Sequence, residues 1–250
     1  MEYRLNHFAL FIALIAISST AYAAEDGGDR WSGKVAFGVL ATTGNSETTN
    51  ANLNVGAKYD RERWHHTAQL AASGANSVNV TDSGVGEERE TTAERYKASY
   101  KAKFDFNEND YLFGLVNYEK DKFSGYDQQI SEAIGYGRRV IDNDRHVLNL
   151  EAGAGFKQAD LRDGGSENGA IVRLGTDYRW QISPTSEFTQ DLAVERGSDN
   201  TYIESVSALK ATLVGELGLV LSYTIKNNSD VPAGSEKTDT FTAIQLEYGF

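Results

Sequence analysis

The chain has 250 residues and a formal net charge of −12 at pH 7, with 36 acidic against 24 basic side chains. This acidic balance argues against nucleic acid as a partner, and the lack of cysteine excludes a disulfide framework, a thiolate nucleophile and a thiolate metal site. Glycine is common at 24 residues, proline is scarce at 2, and 13 tyrosines and 11 phenylalanines are present, a composition that favours an all-β protein.

The N-terminal segment has the pattern of a secretory signal. An apolar run, Phe8–Ile17, follows a short head that contains Arg4, and small residues come behind it. The run is too short to span a bilayer, and the pattern predicts cleavage after Ala23, so that the mature chain starts at Ala24. Further along the chain, no apolar stretch is long enough for a transmembrane helix, which argues against an inner-membrane protein.

Alternation of apolar and polar side chains dominates the rest of the chain. In residues 96–106 every second side chain is Tyr, Ala or Phe, and the intervening ones include three lysines. Such alternation predicts β-strands with one apolar and one charged face. Two segments alternate poorly: residues 111–120, which are apolar on both faces, and residues 201–210. About twelve strands are predicted, at residues 31–40, 49–60, 63–76, 93–106, 110–121, 128–140, 145–159, 168–182, 186–197, 201–213, 217–228 and 238–250.

The predicted connections alternate in length. Five are tight, at "RE", "NEN", "IDND", "SPT" and "VGE", whereas most others are longer, including "SVNVTDSGVGEERETT" and "SDVPAGSEK". Both prolines, Pro184 and Pro232, fall in connections, as strand hydrogen bonding requires. An even number of antiparallel strands with short turns at one rim is typical of an all-β, up-and-down transmembrane β-barrel with both termini in the periplasm. The predicted organisation is a signal peptide, a short periplasmic segment and an outer-membrane barrel, at residues 1–23, 24–30 and 31–250.

A soluble sandwich or lipocalin-like barrel is the alternative fold, because it too has alternating strands. Twelve such strands would need a large dry core, yet the apolar faces carry many small residues, including Ala51, Ala57, Ala98, Ala102, Ala152 and Ala154. Small side chains would leave voids in a core. Turning one of the three lysines of residues 96–106 toward lipid would cost roughly 2 to 4 kcal/mol near the midplane. We therefore expect a membrane barrel with its charged faces inward.

The chain ends on an aromatic residue, which is unusual for a terminus. Counting back by two, Phe250, Tyr248 and Leu246 share one face of the last predicted strand. This pattern resembles the C-terminal signal that the barrel-assembly machinery reads as an added strand. The other expected partners are outer-membrane lipids and lipopolysaccharide, and the sequence leaves the oligomeric state open. A periplasmic aromatic girdle is also predicted, at Trp31, Tyr59, Trp64, Tyr111, Trp180 and Phe188.

Two stretches resemble a known family. They are Thr42–His66, with the sequence "TTGNSETTNANLNVGAKYDRERWHH", and the last loop and strand, "DVPAGSEKTDTFTAIQLEYGF". On these residues the mature chain resembles the YdiY-like salt-induced outer-membrane proteins, a family of unknown function. The resemblance implies an outer-membrane β-barrel of Gram-negative bacteria and no established substrate. Its most specific parts are the turn Gly44-Asn45-Ser46 and the pattern Pro232, Gly234, Lys237, Thr238, Asp239 and Thr240.

Few residues suit catalysis. The mature chain has three histidines, His65, His66 and His146, all at predicted periplasmic starts of strands. Adjacent residues of a strand face opposite sides, so His65 and His66 cannot act on one substrate atom, whereas a phospholipase needs serine, histidine and an orienting group within hydrogen-bond reach. The sequence has no phosphate-binding glycine loop and no helical His-Glu-x-x-His zinc site. We expect no enzyme, no metal and no cofactor.

Charged side chains on the polar faces would line the lumen. Basic residues concentrate on the strand predicted at 93–106 and acidic ones on that at 186–197, which lie nearly opposite in a twelve-strand ring. One hypothesis is a small passive channel whose transverse field acts on ions or small polar and anionic solutes. The alternative is a non-conducting structural or salt- and stress-responsive barrel filled by salt bridges; a lipid-modifying enzyme is less favoured. The candidate selectivity residues are Lys58, Lys97, Lys101, Lys103, Arg173, Arg179, Asp177, Glu187, Asp191 and Glu195.

Overall fold

A computed structural model describes most of the chain after its N-terminal segment. The described residues are 30–43, 48–80, 87–121, 126–162, 164–231 and 234–250. The predicted signal peptide and its cleavage site between Ala23 and Ala24 lie outside these ranges, as do the turn Gly44-Asn45-Ser46 and Pro232. In the part of the chain that the structure describes, no helix is long and apolar enough to cross a membrane.

Twelve antiparallel strands form a closed barrel, as the sequence predicts. Each strand pairs with its neighbours in the chain, and the last strand pairs with the first, which closes the ring. The strands are β1 (Arg30–Thr43), β2 (Thr48–Arg61), β3 (Trp64–Val80), β4 (Glu87–Asp105), β5 (Asp110–Asp121), β6 (Tyr126–Asp142), β7 (His146–Leu161), β8 (Ser166–Ser183), β9 (Ser186–Arg196), β10 (Thr201–Val214), β11 (Leu217–Asn228) and β12 (Thr238–Gly249).

The largest difference from the predicted strands is in the β3–β4 hairpin. β3 ends at Val80 rather than at residue 76, and β4 begins at Glu87 rather than at residue 93. The two strands remain paired up to Val80 and Glu87, beyond a register shift at Ala75 and Asn76. Most of the predicted long loop is therefore polar strand, because backbone hydrogen bonds between two neighbouring strands do not require apolar side chains.

The connections differ between the two ends of the barrel. At one end, called here the turn end, five connections have two to four residues, at 62–63, 106–109, 143–145, 184–185 and 215–216. At the other, the loop end, the connections have four to nine residues, at 44–47, 81–86, 122–125, 162–165, 197–200 and 229–237. The start of β1 and the end of β12 both lie at the turn end. The predicted alternation of short and long connections is confirmed.

The outer wall is apolar, and its aromatic residues gather at the turn end. Trp31 packs on Tyr59, with ring centroids 4.6 Å apart, and Trp64 on Phe104 at 4.9 Å. Exposed aliphatic and aromatic side chains continue upward along every second position, among them Phe37, Leu53, Leu70, Ile134, Val172, Leu221 and Ile244. An apolar outer face with a polar lumen follows directly from the two-residue repeat of the strands.

The barrel is closed at its seam by the last residue of the chain. Phe250 donates a backbone hydrogen bond to Gly33 at 2.9 Å and accepts one from it at 2.7 Å. Its ring covers Gly33 so closely that an added Cβ there would lie 2.5 Å from ring carbons. Leu246, Tyr248 and Phe250 are exposed on the outer wall, whereas Glu247 is buried in the lumen, so the predicted facing of this strand is confirmed.

Candidate functional site in the barrel lumen

Three cavities follow one another along the lumen. A turn-side cavity of about 290 Å³ is lined by Lys58 and Lys210, and a central cavity of about 330 Å³ is lined by Arg95. A loop-side cavity of about 270 Å³ is lined by Lys157 and Arg173. Neighbouring cavities share lining residues, so the three adjoin one another within the lumen.

Two ion pairs cross the lumen from one wall to the other. Nζ of Lys97 on β4 lies 2.7 and 3.0 Å from the two carboxylate oxygens of Glu204 on β10. Nζ of Lys226 on β11 lies 2.7 and 2.6 Å from those of Glu119 on β5. The strands of each pair are six positions apart in the twelve-strand ring, and therefore diametrically opposite. These two pairs are called the cross-lumen bridges.

Further polar contacts support both bridges. Arg95 Nε lies 3.1 Å from Glu119 Oε1, and the hydroxyl of Tyr202 donates to Glu204 Oε2 at 3.0 Å. Each bridging carboxylate therefore has two partners, as a partly buried charge requires. The Lys97–Glu204 bridge lines both the central and the loop-side cavity, so it stands at the junction between them.

A second charged cluster is centred on Glu151 of β7, whose side chain is buried. Lys101 donates to Glu151 Oε2 at 2.7 Å, and the hydroxyl of Tyr111 donates to Oε1 at 2.9 Å. Lys103 lies 3.6 Å from the same carboxylate, and both lysines lie 3.7 Å from Asp177 of β8. The two lysines therefore reach across the inner faces of β5 and β6, which separate β4 from β7 in the ring.

The apolar inner face of β5 explains why this strand shows no clear alternation. Tyr111, Phe113 and Leu115 are buried together in the lumen, with Tyr111 fully enclosed. Gly135 and Gly137 of β6 leave the space that the two rings fill, because an added Cβ would approach ring carbons within 2.7 and 2.3 Å. The sequence-based placement of Tyr111 in the outer aromatic girdle is therefore wrong.

The acidic side chains of β9 do not pair with β4, although the predicted ring places the two strands nearly opposite. Arg173 contacts Glu195 at 2.5 Å, and Arg179 contacts Glu187 at 3.9 Å, both between the adjacent strands β8 and β9. These contacts are local. The lysines of β4 instead meet carboxylates of β7, β8 and β10.

Two further predicted residues lie at the cavities without a charged partner. Among the described residues, no basic side chain lies within ion-pair distance of Asp191, which lines the central and loop-side cavities and is the cross-strand neighbour of Asp177. Lys58 is exposed at the turn-side cavity, and the described part of the chain supplies no carboxylate in contact with it. Nearby, Lys34 and Lys210 share Glu247, at 3.3 and 2.8 Å.

The sequence predicts a lumen-facing Lys226, but it does not identify the two bridging carboxylates, Glu119 and Glu204. These lie on β5 and β10, the segments whose alternation is weak. Cross-strand pairing with a residue predicted to face inward would have identified them. Glu119 is the cross-strand partner of Lys97, and Glu204 is the partner of Lys226. In a hairpin, the partner strand thus shows which face a side chain occupies, even where the alternation of its own strand is weak.

The histidines lie on opposite faces, as predicted. His65 faces inward at the turn end, with its ring nitrogens 2.7 Å from Asp60 and 3.0 Å from Asp105. His66 faces outward, with Nδ1 2.7 Å from the hydroxyl of Tyr100. Within the described ranges, no group of three or more His, Asp or Glu side chains is arranged to hold a metal ion.

Comparison with known proteins gives one curated relative and many structural neighbours. The chain is similar to the uncharacterized protein YdiY of Escherichia coli strain K12, with 28% identity over 217 residues that cover 86% of this chain and 82% of YdiY. Its fold is similar to that of a NanC porin, with a TM-score of 0.56 and 7% identity over 86% of this chain and 98% of that one.

The same architecture also occurs in the translocator domain of the autotransporter NalP from Neisseria meningitidis. The TM-score is 0.53 with 12% identity, over 90% of each chain. At such identities the likeness concerns the fold alone, which is that of bacterial outer-membrane barrels. Family membership rests on the sequence: the family model described as "Protein of unknown function, DUF481" matches residues 35–250. The chain therefore belongs to the DUF481 family.

Proposed function

We propose that the protein is a narrow passive channel for ions and small polar solutes in the outer membrane of a Gram-negative bacterium. The observation that carries the proposal is the series of charged cavities along the lumen, of about 290, 330 and 270 Å³. Each is large enough to hold several water molecules. A barrel whose lumen holds water and charged side chains selects solutes by the residues that line it.

The outer wall supports the membrane location. Its alternate positions are exposed and apolar, and stacked aromatic rings gather at the turn end. In outer-membrane barrels short turns face the periplasm, so in this proposal the turn end and both termini are periplasmic. The porin NanC, which has the same architecture, is a channel by its name, whereas the NalP domain is a translocator. Since one fold serves several functions, the proposal rests on the charged cavities of the lumen and not on the fold.

The proposal includes no enzymatic step and no cofactor. The two neighbouring histidines are held on opposite sides of the wall, His65 by Asp60 and Asp105 and His66 by Tyr100. In this proposal the partners are the lipids and lipopolysaccharide around the outer wall, and the barrel-assembly machinery that inserts the chain. We expect these partners because any outer-membrane barrel meets them, and not because of a particular binding site on this protein.

The test is electrical. Purified protein refolded in detergent and inserted into a planar lipid bilayer should give discrete single-channel steps in potassium chloride. A variant that does not enter the membrane, identified by the loss of heat-modifiable migration on a gel, serves as the control. Silence of correctly folded protein across a range of voltages and salt concentrations would contradict a channel.

A non-conducting structural barrel is the second candidate, and the cross-lumen bridges favour it. Two ion pairs between opposite walls, together with the Glu151 cluster, narrow the lumen at two levels. A barrel of this kind would serve the envelope mechanically or in stress responses. In a deletion strain it predicts loss of membrane integrity without any change in solute uptake. Reduced uptake with an intact membrane would favour the channel.

A further inference from the structure

We propose that the lumen selects small zwitterionic solutes, which carry an ammonium and a carboxylate on one molecule. The selecting element is the Lys97–Glu204 bridge. This inference rests on the proposed channel function and names the solute class that such a channel would pass most readily. It starts from the position of the bridge between two cavities.

A solute that moves between the central and the loop-side cavity meets this bridge. Lys97 and Glu204 line both cavities, and their charged atoms are in contact at 2.7 Å across the lumen. The two head groups must separate for a solute to pass between them. Both side chains are partly buried, so each loses a partner that water replaces only incompletely.

The charge of the solute decides what that separation costs. An anion can pair with Lys97 but deprives Glu204 of its ion-pair partner, and a cation does the reverse. Removing one partner from a partly buried pair is the costly case, because an uncompensated charge remains. A zwitterion gives its carboxylate to Lys97 and its ammonium to Glu204 together. Both side chains then keep a charge-assisted contact throughout the passage.

The second bridge repeats the arrangement with the signs exchanged. On the β4–β5 wall the bridging residues are Lys97 and Glu119, and on the opposite β10–β11 wall they are Glu204 and Lys226. Each wall therefore presents both a cation and an anion to the same part of the lumen. Arg95, 3.1 Å from Glu119, adds a second cation to the β4–β5 wall. A dipolar solute still finds a complementary pair in either orientation, whereas an ion of one sign meets at least one repulsive group on each wall.

The experiment compares four solutes of nearly equal size in proteoliposomes that hold folded protein. They are β-alanine as zwitterion, propionate as anion, propylammonium as cation and propionamide as neutral reference, each radiolabelled, at pH 7, with protein-free liposomes subtracted. We expect β-alanine to enter about tenfold faster than propionate or propylammonium, the rate ratio for a barrier difference of about 1.4 kcal/mol. Equal rates for the zwitterion and either ion would overturn the inference.

Variants assign the effect to the bridge. In K97Q/E204Q the preference for β-alanine should disappear while propionamide entry is maintained or rises. E204Q alone should favour propionate, because Lys97 is then unpaired, and K97Q alone should favour propylammonium. The matched control is R138Q, which breaks the Arg138–Asp110 ion pair on the outer wall, at 3.1 Å, and should keep the preference.

The outcomes separate this inference from the channel itself. Entry of all four solutes at similar rates would leave the channel standing and remove zwitterion selectivity. A preference that survives in K97Q/E204Q would also remove it, since the bridge would not be the selecting element. Failure of every solute, propionamide included, to enter would contradict the channel function and the inference together. Heat-modifiable migration shows for each variant that the barrel has folded.

Discussion

At the scale of single residues, Glu132 is the least expected side chain of the outer wall. It is exposed on β6 between Ile130 and Ile134, which are 42% and 75% exposed. Its cross-strand partners are Val116 and Phe156, 43% and 55% exposed. A carboxylate with apolar side chains on all four sides lies in the band that the proposed function exposes to lipid, where charge is destabilising.

Replacing this carboxylate gives a stability prediction. In lipid vesicles, E132L should raise the free energy of unfolding by about 1 kcal/mol, because acidic side chains on a lipid-facing wall cost less than the roughly 2 to 4 kcal/mol of lysine or arginine. Urea titration of the folded wild-type protein and of E132L in vesicles measures this difference in the free energy of unfolding. E108L, in the exposed 106–109 turn, is the control and should give no gain. A loss of stability in E132L would mean that Glu132 has a partner within the membrane.

The position of a residue in a strand predicts its facing only where the strand alternates. Lys97, Lys101 and Lys103 face inward, where they contact Glu204 and Glu151, as the alternation with Tyr, Ala and Phe predicts. Tyr111 could not be placed in this way, since both faces of β5 are apolar. Its position depends on the space above Gly137 and on Glu151, which belong to other strands. Such neighbours are known only once the ring is assembled.

At the scale of the strand, β12 carries the closing interaction of the barrel. The residue that follows it, Phe250, makes two backbone hydrogen bonds to Gly33 of β1 and covers that glycine with its ring. An aromatic ring over a glycine of the neighbouring strand is a known device for stabilising sheet register. The seam is therefore held by backbone and side chain together at the turn end.

Removing Phe250 tests the seam and the predicted assembly signal. Deletion of Phe250, or F250D, should sharply reduce the amount of heat-modifiable protein in outer-membrane fractions, because both the last pair of hydrogen bonds and the ring contact are lost or weakened. F106D is the matched control, since Phe106 is also an exposed aromatic at the turn end but lies in a connection. Normal insertion of the Phe250 variants would contradict this role of the terminus.

At the five short connections of the turn end, the predicted strand bounds lie within two residues of the observed ones, because turn residues such as Gly, Asn, Asp and Pro stand between clear strand signals. β5 and β11 agree with the predicted ranges at both ends. The β3–β4 hairpin was underestimated, since polar side chains in its outer part resemble a loop. Hydrogen bonding between two long strands, rather than side-chain pattern, decides where that hairpin ends.

At the scale of the whole molecule, the lumen holds charged side chains that pair between strands distant in the sequence as well as between neighbours. The opposition of basic and acidic strands was a reasonable expectation from a twelve-strand ring. Which strands meet depends on strand tilt and side-chain length, and neither can be read from the alternation. In the structure, lysines of β4 form ion pairs with carboxylates of β7, β8 and β10, whereas a glutamate of β9 forms an ion pair with an arginine of β8.

The ion pairs of the three β4 lysines lead to a prediction on the ion selectivity of the proposed channel. Replacing Lys97, Lys101 and Lys103 together with glutamine should shift the selectivity of the channel toward cations, by at least about threefold in the permeability ratio, since carboxylates that face water in a pore attract cations. The substitution exposes the carboxylates of Glu204, Glu151 and Asp177. The reversal potential in a potassium chloride gradient measures the shift, and R138Q is again the control. An unchanged reversal potential would exclude these lysines from selectivity.

The cross-lumen bridges also have a consequence for the order of folding. Each bridge joins residues 107 positions apart in the chain. Contacts of such long sequence separation form late, because the intervening chain must first be ordered. Here the intervening chain is half of the barrel wall, so neither bridge can form before the sheet has curled far enough for opposite strands to face each other. We therefore expect the bridges to form late in barrel closure, so that until then the lumen at this level is wider and wetter than in the finished barrel.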